Sequence, residues 1–206
     1  MVLHPVVPEE KELVARLRSG DEDAFGQILT AWSPAMLRVA QAPGGVSTSQ
    51  LVQEAWLAVM RRLDRHEEPQ SLRVWVFGIL VDLVRRRTGM KVRVDENNHQ
   101  FLDPVRFRGP DDQWPGGWTP DGVPEEWSSP PADHDLDYVT AALDRLPAGP
   151  RMVVTLRDVC GFTADEASEI LRLSNADQRQ LLHQGRSRIR AALEERYRES
   201  MGVARS

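Results

Sequence analysis

Apolar side chains recur along this chain at intervals of three and four, the spacing that gathers a stripe on an α-helix, and no strand alternation of useful length appears. The first such run, EEKELVARLRS, ends at Gly20. Asp21 can cap the next helix, through AFGQILTAW, which Pro34 bends or restarts because its ring removes a backbone donor. Ser47, with Gln50 three residues on, forms a capping box that opens STSQLVQEAWLAVMRRLD, where Leu51, Ala55, Ala58 and Val59 follow at helical spacing. Ser71 opens SLRVWVFGILVDLVRRRTG, apolar on nearly every side until Arg85. A helix of that kind belongs at the centre of a bundle, and Gly89 stops it.

Helical patterning resumes with DLDYVTAALDRL, which runs to Pro147, and PRMVVTLRDVCG, which ends at Gly161. Thr163 caps TADEASEILRL with Glu166 in the capping-box position, and Ser174 caps a final long helix with Asp177 at its third position. Between the two helical blocks the pattern fails. From Asp95 to Asp137 there are eleven acidic residues against two arginines, a net of −9 in a chain of net −5, so the remainder carries +4. Seven of the fourteen prolines lie in the same segment. Such a composition buries too little apolar surface to offset the entropy of ordering, and it reads as a linker. Its Trp114, Trp118 and Trp127 either pack on a flanking domain or dock on a partner that threads the linker. The expected fold is all-α: two helical domains, residues 1–94 and 135–206, joined by a long acidic linker, 95–134, that contains proline and tryptophan.

The chemistry excluded is as informative. A single cysteine, Cys160, rules out a disulfide framework and a multi-cysteine zinc site, and its apolar setting, MVVTLRDVC, suits a buried, inert thiol. Histidines 4, 66, 99, 134 and 183 are scattered without metal-ligand spacing, and no Gly-rich phosphate loop or nucleophile motif occurs. No catalysis, metal or cofactor is expected. The N-terminus lacks the basic and apolar regions of a signal peptide, and no apolar run approaches the ~18 residues of a membrane span, so a cytoplasmic protein without membrane insertion is expected.

What remains is a basic helix pair. FTADEASEILRLSNADQRQLLHQGRSRIR has the form of a helix-turn-helix, a short capped helix followed after a tight turn by a longer one. On the longer helix Gln178, Leu181, Leu182, Gly185, Ile189, Ala192 and Leu193 share a packing arc. Asn175, Arg179, His183, Arg186 and Arg190 form a second stripe ~100° away, made only of neutral or cationic hydrogen-bonding groups. A solvated face more often mixes signs; a helix that reads DNA needs arginines for phosphates and guanine edges, and amides for adenine. RRRTGMKVR, Arg85 to Arg93, offers five more cations and no acid, either as an ordinary basic helix end or as a second DNA surface.

Three stretches together resemble the sigma-70 family of sigma factors, in its small extracytoplasmic-function (ECF, group IV) class. GDEDAFGQIL is similar to the first helix of region two, and SQLVQEAWLAVMRRLDRHEEPQSLRVWVFGILVDLVRRR to that region's D-L-V-Q-E and S-F-R-A-W-L-F run. ALDRLPAGPRMVVTLRDVCGFTADEASEILRLSNADQRQLLHQGRSRIR is similar to region four. The resemblance covers about two thirds of the chain and implies a region 2 bundle and a region 4 helix-turn-helix, with core RNA polymerase (clamp helices and flap) and promoter DNA as partners and an anti-sigma factor as a further one.

Carried over position by position, Gln50, Leu51, Gln53 and Glu54 fall on the element that docks on the polymerase clamp helices, with Gln50 in place of the usual acid. The loop Asp64 to Gln70, including Arg65 and His66, stands where the family captures a flipped base of the −10 element, and Arg73, Asp82, Arg85 and Arg86 lie where region two meets promoter DNA. Gly78 and Val81 replace frequent arginines and Asp82 a usual asparagine, which implies an atypical −10 preference. Trp75 matches a family tryptophan and reads as core rather than as a melting wedge. For the −35 element the positions are Ser174, Asn175, Ala176, Asp177, Arg179, Gln180, His183 and Arg186, with Asp177 either a cap or an acceptor from cytosine, the cap preferred. The family's inter-domain segment runs through the polymerase's basic cleft, an environment that suits a linker of net −9. The alternative reading is a stand-alone helix-turn-helix regulator, which leaves the QLVQE block and the acidic tether unexplained.

Overall fold

A computed structural model describes residues 10–44, 47–65, 71–94, 108, 119, 120 and 135–200, and every regular element among them is helical. Most of the linker, with Trp114, Trp118 and Trp127, lies outside the described residues, as does His66. In chain order the helices are α1 (Glu10–Arg18), α2 (Glu22–Gln41), α3 (Thr48–Arg62), α4 (Leu72–Thr88), α5 (Asp135–Asp144), α6 (Ala148–Val154), α7 (Ala164–Leu171) and α8 (Asn175–Ser200). A 3-10 turn, Leu63–Arg65, follows α3, and a π turn, Thr155–Val159, continues α6. Among the described residues no helix is long and apolar enough to cross a membrane, and no group of His, Cys, Asp or Glu could hold a metal ion.

Helix starts show where local sequence governs and where it yields. The Asp21 carboxylate accepts the Ala24 N–H at 3.0 Å and the Arg16 Nε–H at 2.7 Å, tying the cap of α2 to the end of α1. α2 then runs unbroken through Pro34 to Gln41, so no restart occurs there. Thr163 and Glu166 form the expected reciprocal box on α7, with bonds of 2.7 and 3.3 Å. The box expected at Ser47 and Gln50 does not form: Ser47 has cap geometry but its side chain caps nothing. Ser71 makes no side-chain cap either. The Leu72 N–H at the start of α4 donates instead to the Glu10 carboxylate of α1, a tertiary partner no local pattern announces. At the other end of α4, Gly89 takes the left-handed conformation (φ 68°) and closes the helix through a bond to the Arg85 carbonyl.

α4 is central, as its all-round apolarity requires. Leu72, Val74, Val76, Phe77, Leu80, Val81 and Val84 are all buried, and Trp75 is partly buried against the core. On one side α4 packs on α2 and α3, with Trp32 and Trp56 stacked nearby at 6.4 Å. On the other side it packs on α7, so the two helical blocks meet along an α4–α7 seam and share one apolar core. Phe77 of α4 meets Phe162 edge-on across that seam, with ring centroids 4.8 Å apart.

In the C-terminal block α8 lies against α5, α6 and α7. The closest approach is at Gly185, where a β-carbon would come within 2.5 Å of Val154 Cγ2 and 3.3 Å of the Pro150 carbonyl oxygen. Only glycine lets α8 seat this deeply on α6. Between α7 and α8 the chain turns at Arg172, whose φ of 49° is left-handed, a strain of roughly 1 kcal/mol for a residue with a β-carbon.

Candidate nucleic-acid interface

The first half of α8 divides as its periodicity predicts. Gln178, Leu181, Leu182 and Gly185 are buried on the packing side, whereas Ser174, Asn175, Ala176, Arg179, Gln180 and Arg186 are exposed. Several of the exposed groups are already committed. Ser174 Oγ accepts the Asp177 N–H at 3.0 Å and donates to Asp177 Oδ2 at 2.8 Å, so both residues cap the helix. Asn175 accepts from Ser168 Oγ at 2.7 Å and donates to Asp165 at 3.0 Å, which fixes the turn between the two helices. Arg190 pairs with Glu194 one turn on, at 3.0 Å. His183 is half-buried, and burial pushes its pKa below the ordinary imidazole value, so at neutral pH it is a neutral hydrogen-bonding ring rather than a cation. Arg179 and Gln180 extend from the exposed side without an intramolecular partner among the described residues.

A second arginine on this face, Arg186, is held by Asp158 of the π turn through two hydrogen bonds, Nε to Oδ2 at 3.0 Å and Nη2 to Oδ1 at 2.6 Å. The sequence pattern passes over Asp158, because a π turn carries no residue signature.

The polar groups of α4 have a different fate. Arg73 Nη2 donates to the Cys160 carbonyl at 2.7 Å, and its guanidinium carbon lies 4.0 Å from the Phe162 ring centroid. Arg85 Nη2 donates to the Leu171 carbonyl at 2.6 Å, supplying the orphan acceptor at the end of α7. Asp82 pairs with Arg172 at 2.6 Å. Three residues the sequence assigns to −10 DNA are thus engaged with the C-terminal block, whereas the fourth on this helix, Arg86, stays exposed. The ion pair is largely exposed and worth ~0–1 kcal/mol, whereas a charged bond to a carbonyl contributes about 1.5–3. The seam therefore rests on Arg73, Arg85 and the two rings. Cys160 sits in it: its thiol is 3.8 Å from the Ala35 carbonyl, and burial pushes its pKa up to about 11, so the thiol is inert at neutral pH.

On α3, Gln50 and Gln53 are exposed, and Glu54 accepts two bonds from Arg87 at 2.8 and 3.0 Å. Leu51 is 2% exposed and belongs to the core. The apolar groups that do reach solvent here are Leu57 and Met60, 51% and 57% exposed. Both fall off the arc of Leu51, Ala55, Ala58 and Val59, which is the signal that would have found them. Asp64 is exposed and Arg65 closes the 3-10 turn after α3.

Comparison with known proteins places this geometry. Residues 136–189 match the family model "Sigma-70, region 4". The RNA polymerase sigma factor CnrH of Cupriavidus metallidurans is 29% identical over 91% of this chain and 96% of its own. The ECF RNA polymerase sigma factor ShbA of Streptomyces griseus is 28% identical over 89% and 94%. The structure of CnrH in complex with the cytosolic domain of CnrY has the same fold, with a TM-score of 0.60 at 20% identity over 90% of this chain and 97% of that one. The sigma factor RpoE in complex with the anti-sigma factor NepR, from Bartonella quintana, gives 0.56 at 22% identity over 82% and 96%. The region-four match lies within the α5–α8 block, and the relatives align across both blocks, so the chain is similar along most of its length to sigma factors, ECF sigma factors among them.

Proposed function

We propose that this chain is a sigma factor that binds core RNA polymerase and directs it to promoters, reading the −35 element with α8 and the −10 element with α4 and the loop after α3, and that it has no catalysis of its own. The observation that carries the reading is the exposed α8 face of Ala176, Arg179 and Gln180, set on a fixed platform by Gly185 and the Asn175 bonds. Residues 1–94 serve the polymerase clamp and the −10 element, 95–134 form the acidic tether through the polymerase cleft, and 135–206 serve the flap and the −35 element. Gln50, Gln53 and Glu54 take the clamp helices together with Leu57 and Met60, while Leu51 shapes α3 from the core. Arg73, Asp82 and Arg85 reach DNA only after leaving the seam, so productive binding separates the two blocks. An anti-sigma factor, the kind of partner named for RpoE, would regulate such a protein by opposing that separation, in the cytoplasm.

The test is run-off transcription with purified core polymerase on promoter fragments from the protein's own genome. Initiation that depends on the added protein, and falls at least ~tenfold when Arg179 and His183 are both replaced by alanine, supports the reading. No initiation, with tight binding of the free protein to duplex DNA, returns the stand-alone regulator.

A further inference from the structure

We propose that Asp158 is a positioning residue for the DNA contact of α8: it holds Arg186 side-on, so that the outer N–H groups of the guanidinium face the duplex. The proposal rests on α8 reading the −35 element. Arg186 lies in the middle of the stripe formed by Asn175, Arg179, His183 and Arg190, at ~100° per residue. Its Nε and Nη2 are taken by the two carboxylate oxygens of Asp158, at 3.0 and 2.6 Å. A guanidinium carries five N–H donors in a rigid fork; side-on pairing uses two and leaves the others on the edge away from the acid. An unsupported surface arginine loses rotamer freedom when it binds, whereas one already held has lost it on folding.

The backbone accounts for the placement of Asp158. In the π turn the Cys160 N–H bonds back to the Thr155 carbonyl at 2.9 Å, five residues rather than four. The extra residue turns the side chains beyond it out of the α6 register, and Asp158 comes to face α8 instead of following the helix. Immediately before Arg186 on α8, Gly185 lies against Val154 and Pro150, so α8 cannot roll. Gly185 thus fixes the base of the Arg186 side chain and Asp158 fixes its tip. The pair is neutral together, so its contribution is direction rather than attraction: losing Asp158 leaves general affinity for phosphates intact or higher and blurs the choice of sequence.

The experiment uses holoenzyme assembled with the full chain, and two duplexes: the promoter found by run-off transcription, and the same promoter with its −35 element scrambled. The readout is the ratio of the two affinities, with thermal melting as a folding control. Asp158→Ala is expected to lower the ratio about fivefold without weakening binding to the scrambled duplex. Asp158→Asn, which keeps one acceptor, restores part of it, and Asp158→Ala with Arg186→Ala is no worse than Arg186→Ala alone. An unchanged or increased ratio in Asp158→Ala, or additive losses in the double variant, overturns the proposal. Arg179→Ala separates the two levels. If it too leaves the ratio unchanged, the α8 reading falls; if it lowers the ratio while Asp158→Ala does not, only the role of Asp158 falls.

Discussion

Helices α4 and α8 are both proposed to meet DNA, yet they hold their polar groups in opposite ways. On α8 the committed bonds stay within the C-terminal block and leave Arg179 and Gln180 facing outward. On α4 Arg73, Asp82 and Arg85 reach across to carbonyls, a ring and an arginine of that same block. The difference follows from apolar content. α8 has one buried arc and can keep the rest of its face in water, whereas α4 is apolar nearly all round and needs cover on two sides. Once α7 supplies the second side, the polar residues at its margin find partners there. The two proposed interfaces thus differ in hydrophobic periodicity before they differ in charge.

The largest way to break the comparison is Gly185→Ala. The added methyl meets Val154 and the Pro150 carbonyl, and overpacking of this kind costs about 1–3 kcal/mol. Thermal melting should fall by several degrees, and −35 discrimination should drop while single-stranded −10 binding holds. A change confined to the −10 side would mean that α8 is not seated as described. Next in size, Arg73→Ala removes the Cys160 carbonyl bond and the cation–ring contact. Opening should then be about tenfold more frequent, ~1.4 kcal/mol. The single thiol, buried and raised to about 11, reports it directly. Its labelling rate at a fixed pH should rise by the same factor, and an unchanged rate would show that the seam does not depend on Arg73. The smallest effect is in pH. His183 has its pKa lowered by burial, so the unfolded chain takes up a proton first as pH falls through about 6.5. Above that value the residue contributes nothing to pH dependence; below it stability declines until the folded form also protonates. The melting difference between the wild-type chain and His183→Gln should therefore change as pH is lowered from 7.5 to 5.5, and a constant difference would show that the ring is not desolvated on the α8 face.

Much of this was legible in the chain because its causes are local. The Thr163–Glu166 box, the stop at Gly89 and the buried arc of α8 each follow from residues within a turn of one another. The Ser47 box failed although its residues are right: Ser47 takes cap geometry without making the side-chain bond. The seam was half visible. The sequence shows that α4 needs cover all round, but not that the cover comes from beyond a linker of some forty residues. Asp158 was out of reach altogether, because its direction depends on one backbone hydrogen bond of unusual span.

Arg85 is tied to the end of α7 while the blocks are closed, and the proposed −10 contact would need its side chain released from the seam. On the proposed reading, apparent affinity for −10 DNA would be the intrinsic affinity multiplied by the fraction of molecules that are open. A seam shut in about 99 of 100 molecules weakens it roughly a hundredfold without altering any contact to the bases. Such a dilution would hold the free molecule back from every DNA sequence that needs the released arginines. Whatever drew the blocks apart would then restore the full affinity in a single step, and the stability of the seam, rather than the chemistry of recognition, would set the balance.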